Sequence, residues 1–179
     1  MDPAKLFVIG DIEGFTPEVA RLVSMMHYAR WTTLEAVRGL SVTEIDHLQD
    51  PQSNSIGALL LHVAAVEVSY QALTFLGRGL TGEELLQWEP ALELGELGRA
   101  RIRGYPIEYY LRVLALVRES TLTSLRERDD RWLHEERPFW GGRRANHHFM
   151  WFHVLEDELN HRGQIRWLRR RLPRDPRLS

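Results

Sequence analysis

Apolar side chains recur every three to four residues in four separate stretches of this chain, the spacing that lines one face of an α-helix. In the first, Val19, Leu22, Val23, Met26 and Leu34 follow Thr16-Pro17, an N-cap residue with proline at the first helical position, and the pattern runs to about Gly39. Ser41 to Asn54 is a polar connector containing Asp50-Pro51. A second, strongly apolar helix is predicted from about Ser55 to Phe75, stopping near Gly77 and Gly79. Residues 78–105 form a long connection punctuated by Gly82, Pro90, Gly95, Gly98 and Gly104, with short helices predicted at Glu83–Leu86 and Ala91–Arg101. The third helix opens at Pro106 and buries Ile107, Leu111, Leu114, Val117, Thr121 and Leu125. A loop from about Asp129 to Ala145 carries Pro138 and Gly141-Gly142; Asn146 then caps a fourth helix that runs to Leu172 and is stopped by Pro173.

No two-residue alternation of the kind a half-buried strand shows competes with these helical patterns. The expected fold is all-α, a four-helix bundle in a single domain spanning 1–179. The long crossover between helices 2 and 3 can carry the chain back along the bundle, so that those two helices run parallel in an up-down-down-up order.

Composition narrows the chemistry. The chain has 179 residues, enough for one domain with a real core, and its net charge of −2 gives no global pull toward nucleic acid or membrane. There are no cysteines, which excludes disulfides, thiolate metal sites and a cysteine nucleophile, and leaves His and carboxylate as the metal ligands. Leu6-Phe-Val-Ile9 is too short for a secretory signal and is followed by Asp11 and Glu13. No stretch is read as approaching the roughly 20 apolar residues that span a bilayer. A soluble, cytoplasmic protein is expected.

The fourth helix carries the candidate site. Asp157 and His161 are one turn apart, and His153 lies one turn before them. That stripe also holds Met150, Val154, Gln164, Ile165, Leu168 and Leu172, so ligand-type side chains lie on the face that should turn inward, while Arg162, Arg166, Arg169 and Arg170 fall opposite. An acid–His pair at this spacing is also an ordinary helix ion pair, and a lone core His is often merely hydrogen-bonded. A third candidate shifts the balance: His62 sits in the apolar second helix among small or apolar neighbours, Ala58, Leu59, Val66, Ser69 and Leu73. Buried carboxylate and imidazole groups cost several kcal/mol each unless something pairs them, and a divalent cation does so. His62, Asp157 and His161 would leave a position for solvent or substrate, the arrangement of catalytic rather than structural zinc.

The string His153-Val-Leu-Glu-Asp-Glu-Leu-Asn-His-Arg-Gly-Gln-Ile165, preceded by Leu59-Leu-Leu-His-Val-Ala-Ala-Val-Glu67, resembles the DinB-like (DinB/YfiT) superfamily of bacterial metalloenzymes over most of the chain. The resemblance implies a four-helix bundle of the order given above, often a homodimer. It also implies a divalent metal held by His62, Asp157 and His161. Many members have His at the position of Asp157 and a second His where this chain has Asn160. Two imidazoles with one carboxylate suit Zn²⁺ best and also accommodate Ni²⁺, Fe²⁺ or Mn²⁺; His153 in place of Asp157 is the alternative ligand. Relatives include thiol-dependent isomerases and transferases, so a low-molecular-weight thiol co-substrate is implied, which this cysteine-free chain would not supply itself.

Around these ligands, His153, Glu158 and Gln164 are candidate outer-shell partners, Gln164 as a group orienting His161. His147, His148 and Trp140 precede the fourth helix, either at a pocket mouth or in a solvated loop. Seven arginines against one acid occupy Arg162 to Arg177, but without interleaved aromatics beyond Trp167 they read as a solvated outer face rather than a nucleic-acid surface. Trp31, Trp151 and Trp167 are read as packing or interface residues in a homodimer. Two functions compete: a metal-dependent enzyme of thiol-transferase, isomerase or hydrolase type acting on a small molecule, and a non-catalytic metal-binding or stress-response module. A small-molecule cavity beside the metal separates them.

Overall fold

The computed structural model describes residues 6–173. Four long helices dominate it: α1 (Pro17–Val37), α3 (Ile56–Phe75), α6 (Ile107–Arg126) and α8 (His147–Arg169). Their starts follow local chemistry. The Ser55 side chain accepts the Ala58 N–H at the head of α3, and Asn146 accepts the Phe149 N–H at the head of α8. Thr16 occupies the N-cap of α1 as expected, yet its hydroxyl caps nothing. Instead Asp130, from far along the chain, accepts the amides of Glu18 and Val19 at 3.0 and 3.3 Å and the Thr16 hydroxyl at 2.5 Å.

The connections hold more structure than their polarity suggests. The Ser41–Asn54 connector begins with a one-turn helix, α2 (Val42–Ile45), closed by a capping box between Ser41 and Glu44. The crossover contains α4 (Gly82–Glu93) and α5 (Gly95–Arg101), where short helices are expected. The 129–145 segment is not a plain loop: it forms α7 (Asp130–His134) and then an antiparallel hairpin, β1 (Glu136–Pro138) with β2 (Arg144–Asn146), paired Glu136 to Asn146 and Pro138 to Arg144. The expectation of no strands is therefore corrected. Strands of three residues are too short to display an alternation, and Gly141 and Gly142, at φ 62° and 75°, close the hairpin in the left-handed region. The final helix stops at Arg169, short of Leu172, and passes into a turn before Pro173.

The long helices pack as neighbouring pairs, α1 with α8, α8 with α3, α3 with α6 and α6 with α1. Contacts fix the register of each pair. Along α1 and α8, Arg30 meets Glu158, Thr32 meets Arg162 and Ala36 meets Arg169. Between α3 and α8, His62 meets His161, Tyr70 meets His153 and Phe75 meets Trp151. Between α3 and α6, Glu67 meets Arg118 and Gln71 meets Thr121. Gly57 lets those two helices close, since a Cβ there would lie 2.5 Å from the Tyr110 hydroxyl.

Two apolar clusters fill the interior. One gathers Ile45, Ile56, Leu59, Leu60, Leu114 and Ile165; the other gathers Leu22, Met26, Leu125, Leu133, Met150 and Trp151. On each long helix one buried charged residue lies between them in sequence: Arg30, Glu67, Arg118 and Glu158. Arg30 donates to Glu158 at 2.8 Å and to Glu67 at 3.0 Å, and Arg118 donates to Glu67 at 2.7 Å and to Glu158 at 3.0 Å. Remaining donors go to the carbonyls of Leu114 and Met26, both at the facing helix. Two cations and two anions thus cancel, with every helix tied to the others. Burial alone would raise the Glu67 carboxyl; the guanidiniums of Arg118 and Arg30 outweigh that and hold it below the ordinary carboxylate range.

Two expectations about surfaces change. α3 is long and apolar enough by composition to count as a membrane span, contrary to the reading that no stretch approaches one, but most of it is buried as the central helix. The arginine run is not wholly a solvated face: Arg169 donates to the carbonyls of Ala36 and Arg38 at 2.8 and 2.9 Å, satisfying the free end of α1, and Arg162 donates to the Thr32 hydroxyl at 2.5 Å.

Candidate metal centre

The packing of α3 on α8 brings His62 opposite Asp157 and His161. One donor atom from each lies within 4.8 Å of the other two. The Nε2 atoms of His62 and His161 face the same carboxylate oxygen, Asp157 Oδ1, at 3.8 and 3.4 Å, and the two imidazoles meet edge to face with centroids 4.6 Å apart. Ligands about 2.0–2.2 Å from a tetrahedral zinc stand roughly 3.3 Å from one another, so only small adjustments separate this set from a coordinating one. The three side chains are 13–16 % exposed, low enough to hold a dry site and high enough to admit a ligand from solvent.

The polar accounting points the same way. Asp157 Oδ2 and His161 Nδ1 are buried without a hydrogen-bond partner. His161 Nδ1 lies across the ring from the Nε2 that faces Asp157, so the orphan that bears on the site is the carboxylate oxygen: such orphans are uncommon in folded interiors, and a carboxylate beside two imidazole Nε2 atoms is the donor chemistry of a divalent cation. His62 Nδ1–H donates to the Ala91 carbonyl at 2.7 Å, which leaves its Nε2 unprotonated toward Asp157 when the ring is neutral. Burial opposes charge on both partners, but the hydrogen bonds override it. Asp157 is drawn well below the ordinary carboxyl range by His161 and His62, and His62 is raised by Asp157 and Ala91.

Other residues singled out by sequence fall in different places. His153 lies a turn away from the cluster; its Nδ1 is 3.2 Å from Glu156 Oε2 and its ring sits between Tyr70 and Trp140. Glu158 is committed to Arg30 and Arg118 and is turned from the ligands. Gln164 is exposed and lines a cleft of about 630 Å³ together with Leu59, Asn160, Trp167 and connector residues 52–54, with no hydrogen bond to His161. That cleft borders α3 and α8 within a turn of the imidazoles. His147, the first residue of α8, is fully buried, donating its Nδ1–H to the Trp132 carbonyl at 2.8 Å and stacked on the Trp132 ring, whereas Trp140, before the helix, is exposed. His148 lies at the surface near Glu18.

Sequence reasoning missed the partners that come from elsewhere in the chain. The Ala91 carbonyl is backbone and left no sequence signal. Tyr70, two turns after His62, has a buried hydroxyl without a partner; burial and then the Asp157 charge raise its pKa. The Arg30, Glu67, Arg118 and Glu158 set did leave a trace, each being a single charge inside an otherwise apolar stripe.

No curated protein matches the chain. Among solved structures, "Crystal structure of the conserved protein of locus from Enterococcus faecalis" superposes with a TM-score of 0.65 at 17 % identity, covering 83 % of this chain and 93 % of that one, a likeness of fold. Residues 21–173 match the family described as Mycothiol-S-transferase, a DinB/YfiT-like metal-binding group, and include every residue of the candidate centre. With that match spanning all four long helices, the chain belongs to the mycothiol-S-transferase family.

Proposed function

We propose that this protein is a metal-dependent thiol transferase in which His62, Asp157 and His161 hold one divalent cation, Zn²⁺ before Ni²⁺, Fe²⁺ or Mn²⁺, and a low-molecular-weight thiol such as mycothiol is the co-substrate. The observation that carries it is the convergence of two imidazole Nε2 atoms on one carboxylate whose second oxygen, Asp157 Oδ2, is buried without a partner. A bound divalent cation supplies Lewis acidity and lowers the pKa of a thiol that reaches it. The chain's own residues prepare the place. Asp157 stays ionised, His62 is held in one tautomer by Ala91, and the Tyr70 hydroxyl is a buried donor free to meet an incoming polar group. Having no cysteine, the chain leaves the sulfur to its co-substrate.

The enzyme reading takes the cleft lined by Leu59, Asn160 and Gln164, residues within a turn of His62 and His161 along their helices though not lined by the ligands themselves, as the place of a small-molecule substrate. The same reading takes the fold as a four-helix bundle in up-down-down-up order, which the register of the α1–α8, α3–α8 and α3–α6 contacts supports. It places the protein in the cytoplasm, where free thiols stay reduced. Metal analysis of wild type, His62→Ala and His161→Ala, followed by thiol-transfer assays with mycothiol, bacillithiol and glutathione, tests it. Near-stoichiometric metal in wild type and its loss in both variants is the expected result. Equal, substoichiometric metal in all three would reduce the cluster to polar packing.

A further inference from the structure

His62 relies on a carbonyl that an ordinary helix would not leave available. In an unbroken α4 the Ala91 carbonyl would accept the Gly95 N–H, four residues on. The helix breaks first, at Leu94, the one non-glycine with positive φ among the described residues (φ 56°, ψ −139°). Leu94 N–H still closes on the Pro90 carbonyl at 3.2 Å, but the turn then swings the Gly95 N–H to Asn54 Oδ1 at 3.0 Å. Ala91 O is thereby released and takes the His62 Nδ1–H at 2.7 Å. A branched side chain in the left-handed region persists only where its surroundings enforce it, and the Asn54 contact is such an enforcement. Asn54 immediately precedes Ser55, the cap of α3, so the helix that carries His62 and the residue that frees its acceptor are anchored at one point.

We propose that Asn54 is a positioning residue for the metal centre: by holding the Gly95 N–H it keeps the Ala91 carbonyl on His62 Nδ1 and so fixes the tautomer that presents Nε2 to the metal. The consequence for metal binding rests on His62 being a ligand, as read above; the consequence for the tautomer does not. Without the Asn54 side chain, the Gly95 N–H is free to close the helical bond onto Ala91 O and draw it from the imidazole. Outer-shell partners of this kind change metal affinity by about 10- to 100-fold.

The test uses the full chain with Co²⁺ as probe, comparing wild type, Asn54→Ala and Asn54→Asp, whose carboxylate can still accept from Gly95. Chelator competition and the visible Co²⁺ spectrum are read together with the imidazole ¹⁵N shifts of the metal-free protein at pH 9. Asn54→Ala is expected to weaken Co²⁺ binding by about tenfold or more, alter the spectrum and lose the Nδ1–H form of His62, with Asn54→Asp restoring all three. If Asn54→Ala does not fold, Asn54→Ser, too short to reach Gly95, replaces it. Unchanged affinity and an unchanged tautomer in the alanine variant would overturn the proposal. Should wild type bind no Co²⁺, the metal reading falls, and the tautomer shifts alone decide whether the latch exists.

Discussion

Asp157 and Glu158 are adjacent carboxylates that the helix points about 100° apart, and their surroundings give them opposite tasks. Glu158 is neutralised by Arg30 and Arg118 and locks the interior. Among the described residues, the ionisable partners of Asp157 are the two imidazoles of His62 and His161. Breaking a buried pair by removing one partner strands the other charge, which costs about 3–5 kcal/mol. Arg118→Ala should therefore lower the unfolding free energy by that order in denaturant titrations, whereas His161→Ala in metal-free protein should change it far less. Glu67 extends the prediction to pH. Its folded carboxyl lies below the ordinary value, so the network's contribution is full above about pH 4.5 and is lost as pH falls through the folded pKa. Denaturation midpoints followed from pH 6 to pH 3 should decline mainly below that value, and a Glu67→Gln variant should show a shallower decline. Metal retention should fail earlier in the descent. Asp157 stays ionised, but His62 is raised above its ordinary 6.5, so protons compete with the cation from near neutrality downward. Metal content measured after dialysis at stepped pH checks this, and retention persisting to pH 4 would contradict it.

Between elements, the decisive contacts are close approaches and borrowed caps. Gly57 and Gly163 are both helical glycines, yet they should respond oppositely to alanine. A Cβ at Gly57 would strike the Tyr110 hydroxyl and Ile45, forcing α3 and α6 apart, and overpacking of this kind costs about 1–3 kcal/mol. At Gly163 nothing lies within 4 Å of a new Cβ, so alanine should gain up to about 1 kcal/mol of helix propensity. Thermal unfolding of the two variants should move in opposite directions. Asp130→Ala removes the acceptor that closes the start of α1, and a cap loss of about 0.5–2 kcal/mol is expected from the same measurement.

On the scale of the whole molecule, the homodimer expectation loses one of its supports and keeps two. Trp151 is fully buried against Phe75 and cannot form an interface. Trp31 and Trp167 remain partly exposed, and Trp31 stands with Phe7 and Tyr28 in one aromatic group on the outside of α1. We expect a dimer that buries this group: light scattering at micromolar concentration should give twice the chain mass, and Trp31→Glu should halve it. A monomeric wild type would remove the expectation.

The four long helices, the cap at Asn146 and the Asp157–His161 pair were legible in the sequence, because 3.6-residue periodicity, capping and i,i+4 spacing are local rules written over a few turns. His62 was legible as an odd residue in an apolar helix, and the family resemblance joined it to the pair. What the long helices do to one another was decided only by tertiary structure. That Glu158 serves two arginines rather than the metal, that Trp151 is core rather than interface, and that Asp130 caps α1 each depend on a partner far away in the chain. The Ala91 carbonyl is the extreme case: it became available to His62 through a turn at Leu94 and an amide held by Asn54, groups that carry no signal until the crossover is laid against α3. Periodicity tells which face of a helix turns inward; only packing tells what it meets there.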